Sequence, residues 1–161
     1  MRMYLGIDPG ETTGVCVAYS SGDELIVSEA FELTWESRFQ LLPLVSILSE
    51  QSATQLDIVV ESFHLYKHRA QQQVGSYFPS VRVIGILETA AWASKILNRI
   101  IYQSASDIAR VTVLPQHAKI VGGSEHTKDA YKHIRYHYVK HIFHPETERV
   151  SDGSSRTGSD R

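Results

Sequence analysis

Runs of apolar residues divide the chain into predicted strands and helices. The first three runs, at residues 3–7, 15–19 and 25–31, are short and closely spaced. Residues 20–23 (SSGD) between the last two have strong turn chemistry, because Gly tolerates positive φ while Ser and Asp bond their own backbone. Short connections join antiparallel neighbours, so these runs predict a three-strand meander. A fourth run at residues 57–61, apolar between two acids, is typical of a central strand covered on both faces.

Helical spacing follows the meander and dominates the second half of the chain. Thr34 is a candidate N-cap for a helix whose apolar residues recur at helical spacing up to position 48. The Ala-rich segment 81–102 predicts one long helix, segment 111–114 a further strand, and segment 127–141 the last helix. The order β-β-β-α-β-α-β-α predicts an α/β fold. Its mixed five-stranded sheet combines the antiparallel meander with parallel strands and is flanked by helices.

Composition places the chain among ordinary globular proteins. With 161 residues, 42% of them apolar and 21% charged, it has the length of one domain, which we expect to span residues 1–146. Residues 147–161 lack apolar anchors and predict a disordered tail. We expect no signal peptide and no membrane partner, because no apolar run approaches about 18 residues. Cys16, the only cysteine, fits a reducing cytoplasm.

Three acids stand where this layout would bring them together. Asp8 ends the first strand, Glu61 ends the fourth, and Asp129 lies near the start of the last helix with His126 on the same helical face. If the first and fourth strands are parallel neighbours, their two acids emerge at the same end of the sheet. Clustered carboxylates persist when a divalent cation such as Mg²⁺ or Mn²⁺ neutralises them. Any one of these acids could instead be a solvated strand end, so the conjunction carries the prediction.

These motifs resemble a known family of nucleases. IDPGETTG, followed by VVES and later by HTKDA, resembles the RuvC Holliday junction resolvases of the RNase H-like superfamily. The resemblance covers about residues 1–144, and the short chain looks most like phage-encoded members. It implies a metal-dependent endodeoxyribonuclease that cuts branched DNA, four-way junctions or also flaps and forks, in the cytoplasm of a bacterial host.

The resemblance also implies a site. Asp8, Glu61, His126 and Asp129 would bind two Mg²⁺ or Mn²⁺ ions and carry phosphodiester hydrolysis. Two ions roughly 4 Å apart suit an in-line phosphoryl displacement. Many family members carry Asp where His126 stands, which leaves its role open between metal ligand and general acid or base.

DNA contacts are expected from cations beside aromatic rings, which meet phosphates and unstacked bases. The family places an aromatic wedge just after the catalytic Glu and a DNA-contacting lysine before the last helix. Phe63 or Tyr66 could be the wedge; the alternative is that Phe63 is core and the rest of the segment is a solvated loop. The predicted DNA-contacting residues are Phe63, Tyr66, Lys67, Arg69, Lys119, Lys128 and Lys132.

A homodimer is expected, because a two-fold junction needs two symmetric cuts and a C₂ dimer supplies both sites. Segment 81–102 has more apolar residues than one core-facing stripe needs, so some of them could form the interface.

Four histidines of the last helix, His133, His137, His141 and His144, form one stripe. We interpret the stripe as a polar helix face rather than a chain of metal sites, because no acidic or cysteine partners recur with it. If the stripe faces DNA, protonation below about pH 6.5 would strengthen binding.

The opening motif also fits a second interpretation, and a third function class stays open beside it. The turn Pro9-Gly10 and the segment Thr12-Thr13-Gly14 would let a phosphate backbone approach Asp8. The same pattern resembles the phosphate signature of actin and Hsp70 ATPases, although this chain holds one such motif and no GxxxxGK[ST] loop. A DNA-binding module without turnover is the third reading.

Overall fold

The computed structural model describes residues 2–52, 55–63, 78–94 and 98–140. Within these ranges the chain forms five strands and five helices. In chain order they are β1 Arg2–Asp8, β2 Thr13–Ser21, β3 Glu24–Leu33, α1 Leu41–Gln51, β4 Leu56–Glu61, α2 Pro79–Ala93, β5 Asn98–Gln103, α3 Ala105–Ile108, α4 Ala118–Val121 and α5 Glu125–Tyr138. No helix in this part of the chain is both long and apolar enough to cross a membrane.

The five strands form one mixed sheet in the order β3-β2-β1-β4-β5. The first three strands pair antiparallel, as the meander predicts. Strands β1 and β4 are parallel, and so are β4 and β5. The register of the central pair joins Ile7 to Val60. The next residues, Asp8 and Glu61, therefore leave the sheet at the same end, as predicted.

Helices cover both faces of the sheet, and the two-residue period of the strands decides which side chain faces which layer. Leu5 and Ile58 belong to a core cluster with α1 and α2. Tyr4 belongs to a second cluster with α4 and α5. By the same alternation Asp8 and Glu61 lie on the α5 face, where each approaches a histidine of that helix.

Two glycines let α5 pack against the sheet at backbone distance. A Cβ atom on Gly6 would lie 2.2 Å from the carbonyl oxygen of Ala130, and one on Gly14 would lie 2.0 Å from that of His126. The space beside Gly14 is therefore filled by the first turn of α5. The expectation that this glycine leaves room for a phosphate backbone was wrong.

The predicted long helix over residues 81–102 was also wrong. Helix α2 ends at Ala93, and residues 98–103 form the edge strand β5. Strand β5 pairs Ile100 with Ile58 and Ile101 with Val59. Long-range pairing of β-branched residues has overridden the local helix propensity. Residues 111–114, predicted as the last strand, are neither strand nor helix.

Helix α1 begins later than predicted. Thr34 does not cap it, because the Thr34 carbonyl accepts the Ser37 N–H at 3.1 Å and closes a turn. A 3₁₀ turn at Arg38–Gln40 follows, and α1 starts at Leu41.

Candidate active site

The candidate site lies where β1, β4 and α5 meet. Asp8 and Glu61, at the two strand ends, keep 15% and 31% of their side chains exposed. His126 lies in the first turn of α5, where its backbone N–H donates to the hydroxyl of the N-cap residue Ser124. Its ring Nδ1 lies 2.7 Å from Asp8 Oδ2. Residues 118 positions apart in the chain are thus in direct contact.

The site concentrates negative charge in a partly buried position. Burial raises the pKa of Asp8 above its usual range, and repulsion from Glu61 and Asp129 adds to the rise. The hydrogen bond with His126 opposes it without cancelling it. A partly buried carboxylate repelled by two others favours a bound cation, because a cation removes the repulsion and compensates for the lost hydration.

The donor set fits a hard divalent ion by its chemistry. Three carboxylates and one imidazole are ligands that Mn²⁺ accepts, and carboxylates suit Mg²⁺. In the structure, however, positively charged or proton-donating neighbours contact two of these groups: His126 contacts Asp8, and the Lys132 ammonium lies 2.7 Å from Asp129 Oδ1. Across the described ranges no three His, Cys, Asp or Glu side chains form a ready-made metal cage. A metal would have to draw the carboxylates together against these existing contacts.

A cavity of about 330 Å³ opens beside Asp8 and Glu61. Ser80 Oγ, at the start of α2, donates to the Pro9 carbonyl at 2.6 Å and ties this helix to the turn after β1. Hydroxyl groups dominate the remaining wall. The lining residues are Asp8, Pro9, Glu61, Ser62, Phe63, Ser80, Ser104, Ala105 and Ser106.

Phe63 lies at this cavity and is not part of the core. Its side chain is 38% exposed, and its ring centroid is 5.0 Å from that of Phe78. A partly exposed aromatic ring therefore lies two residues after Glu61 in the wall of the cavity. The other wedge candidate, Tyr66, lies outside the described residues, as do Lys67 and Arg69.

The three predicted lysines of the second half occupy different settings. Lys119 is exposed on α4. Lys128 Nζ pairs with Glu125 and Lys132 Nζ with Asp129, each at 2.7 Å. Among these cations, only Lys132 directly contacts a predicted site residue.

The two histidines of the stripe that the structure describes are buried, so the expected polar helix face is wrong for these two. His133 is fully buried and His137 is 2% exposed, while His141 and His144 lie outside the described residues. His137 Nε2 lies 3.1 Å from Asp57 Oδ2, and His133 Nε2 lies 3.8 Å from Glu61 Oε2. The expected gain in DNA binding from an exposed, protonated stripe has no basis for these two residues.

The sequence did not lead us to predict that two acids of β4 face two histidines of α5. Asp57 and Glu61 are four residues apart on β4, with both side chains on the α5 face. His133 and His137 are four apart on α5, one helical turn. The signal was present in the sequence, but reading it required knowing that α5 crosses over β4.

Comparisons with known proteins agree with the architecture. A scan against protein-family models found no match, and a search of curated proteins found none either. Among solved structures, the fold is similar to that of T. thermophilus RuvC in complex with a Holliday junction substrate. The TM-score is 0.57 at 13% identity, over 88% of this chain and 96% of that one. A likeness at this identity establishes the predicted RNase H-like fold and no more.

A second, more distant likeness is to the fowlpox virus resolvase, solved in complex with substrate Holliday junction DNA. Its TM-score is 0.41 at 10% identity, over 76% of this chain and 65% of that one. A likeness at this level carries no weight for the site.

Proposed function

We propose that the chain is a Holliday junction resolvase, a metal-dependent endodeoxyribonuclease that cuts branched DNA. The observation that carries the proposal is the convergence of Asp8 and Glu61, from parallel strand ends, with His126 of α5 beside an open cavity. The RNase H-like fold is compatible with this chemistry. Fold alone does not imply function, so the proposal rests on the site.

Asp8, Glu61, His126 and Asp129 are the proposed metal-binding and catalytic residues. They would hold two Mg²⁺ or Mn²⁺ ions, which when bound supply a nucleophile at neutral pH and stabilise charge on the phosphoryl oxygens. Asp8 is the central residue of the set, because the charges of the other two carboxylates both act on it. His126 is positioned to share an ion with Asp8, since its Nδ1 already lies within hydrogen-bond distance of that carboxylate.

The cavity is the proposed seat of the DNA strand at the scissile bond. Its serine hydroxyls make the wall polar without adding charge, although Ser80 already donates its proton to the Pro9 carbonyl. Phe63 offers a ring on which an unstacked base at the branch point can stack. The proposed DNA-contacting residues are Phe63, Tyr66, Lys67, Arg69, Lys119, Lys128 and Lys132.

A homodimer is proposed with this function, because resolution of a two-fold junction requires two sites related by symmetry. Helix α2 carries two exposed large apolar side chains, Val81 at 46% and Trp92 at 87%. Burial of such residues against a second copy would remove them from water. A phage origin and action in the cytoplasm of a bacterial host belong to the same proposal.

The test is a cleavage gel with labelled four-way junction, flap and duplex DNA, each with Mg²⁺ or Mn²⁺. Wild-type protein should cut the junction and leave the duplex intact. Asp8→Asn should abolish cleavage while junction binding persists. Asp23→Asn, at an exposed turn, is the matched control and should cut normally. Cleavage that survives in Asp8→Asn, or equal cutting of junction and duplex, would sink the proposal.

A further inference from the structure

A second histidine of α5 lies directly behind the candidate site. His133, seven residues after His126, has no exposed surface. Its Nδ1 lies 2.9 Å from Gln103 Oε1, and its Nε2 lies 3.8 Å from Glu61 Oε2. Among the described residues Nε2 has no hydrogen-bond partner, and the Glu61 carboxylate is the acidic group that it faces.

A buried ring nitrogen without a partner is costly, so its direction is informative. The ring is held at Nδ1 by Gln103, which leaves Nε2 to Glu61. Turning the Gln103 amide by 180° exchanges its oxygen and nitrogen. Its N–H then donates to Nδ1, and the ring proton of His133 lies on Nε2. The neutral ring then donates toward Glu61, and a small rotation of that carboxylate completes the hydrogen bond.

Gln103 contacts both the backbone next to Glu61 and the His133 ring. The β4–β5 register pairs it with Glu61. Its backbone carbonyl accepts the Ser62 N–H at 2.7 Å, and its side chain contacts the His133 ring. The backbone just after Glu61 and the ring beside the Glu61 carboxylate are therefore fixed by one residue of the edge strand.

We propose that His133 is a positioning residue that orients the Glu61 carboxylate toward the metal site, with Gln103 holding its ring. The proposal rests on the proposed role of Glu61 as a metal-binding residue. Glu61 is 31% exposed, so without this contact its side chain is free to turn into solvent. Hydrogen bonds to a ligating carboxylate fix it in the binding orientation, and their loss weakens metal affinity by about 10- to 100-fold.

Two amide substitutions separate positioning from mere packing. His133→Gln keeps a nitrogen near the place of Nε2, whereas His133→Asn keeps one near the place of Nδ1. Both leave a polar amide at the same buried position, so both should lower the unfolding temperature to a similar extent.

The measurement is Mn²⁺ titration of the full chain by isothermal calorimetry. We expect about a 10-fold or larger loss of affinity in His133→Asn and a loss within about 3-fold in His133→Gln. Equal affinities in the two variants would overturn the proposal, whatever their stability.

A measurement on the wild type avoids dependence on variants that fail to fold. With ¹⁵N-labelled histidine, the His133 Nε2 resonance should shift on addition of Mg²⁺, and this shift should vanish in Asp8→Asn. A resonance that ignores Mg²⁺ overturns the proposal. If the ion-binding results hold but branched DNA is not cut, the proposed function fails and the positioning role stands.

Discussion

The close approach of α5 to β2 gives the sharpest test of how the site is built. Gly14→Ala would place a Cβ atom 2.0 Å from the carbonyl oxygen of His126 and 2.3 Å from the carbonyl carbon, where ordinary contact begins at 3.4 Å. The clashing atoms belong to the helix backbone, so no side-chain rotation relieves the overlap. The first turn of α5 must retreat by well over an ångström, and His126 must move with it.

The cost follows from the size of this displacement. Overpacking a core typically costs 1–3 kcal/mol, and a backbone clash belongs near the upper end, about 3 kcal/mol. For a domain of this size that loss corresponds to a fall in Tm of about 6–12 °C. Misplacing a catalytic group by about 1 Å can cost roughly 100-fold in rate, so we expect a similar loss of junction cleavage.

Thermal unfolding followed by circular dichroism measures the first effect, and cleavage kinetics below the lowered Tm measure the second. Gly85→Ala in α2 is the control, because a Cβ atom there has nothing within 4 Å. It should raise stability by about 0.5–1 kcal/mol through helix propensity and leave cleavage unchanged. A Gly14→Ala protein with wild-type Tm and rate would show that α5 does not need this glycine for its placement.

Two further predictions concern a buried charge and an exposed ring. Burial alone would raise the pKa of Asp57, but the hydrogen bond of His137 and the cations Arg2 and Arg99 outweigh it and hold the pKa below its usual value. The charged Asp57 therefore contributes to the free energy of unfolding. This contribution is fully present above about pH 4 and is lost as pH falls through the lowered pKa. Asp57→Asn should therefore lower the free energy of unfolding at pH 7 by about 2 kcal/mol, measured in urea. This is less than the loss of a wholly buried pair costs, because Arg99 is 49% exposed. The difference between variant and wild type should close toward pH 2, and a difference that stays constant with pH would contradict the prediction. Phe63→Ala should weaken junction binding in gel shifts by about 5- to 100-fold and leave duplex binding unchanged. Loss of the ring contact with Phe78 should lower Tm by a few degrees at most, about 1–6 °C. Wild-type junction binding would end the stacking idea.

Local pattern was sufficient for the centre of the fold. The closely spaced apolar runs predict the antiparallel meander, and the continuous run before Glu61 predicts a covered central strand. Asp8 and Glu61 share a face because the parallel register pairs Ile7 with Val60, and a shift of one residue would have put them on opposite faces. The spacing of His126 and Asp129 likewise places both on one side of a helix.

The edge of the sheet depended on partners far along the chain. Residues 98–103 follow an Ala-rich helix, and their local preference does not separate them from it. They form a strand because their isoleucines pair with β4, about 40 residues earlier, in the register Ile100 to Ile58. Propensity acts within a few residues, whereas this pairing is a tertiary interaction, so the sequence pattern misplaced β5.

Pattern along the chain was enough to identify the candidate site residues: two acids at strand ends, and a histidine and an acid on one helical face. Tertiary structure alone decided how they are supported. The helix crosses the sheet at Gly6 and Gly14, and this crossing brings His126 to Asp8 and buries His133 behind Glu61. The distance between helix and sheet depends on the absence of a Cβ atom at two positions of the sheet. Which backbone atoms approach these glycines is decided only when the chain folds.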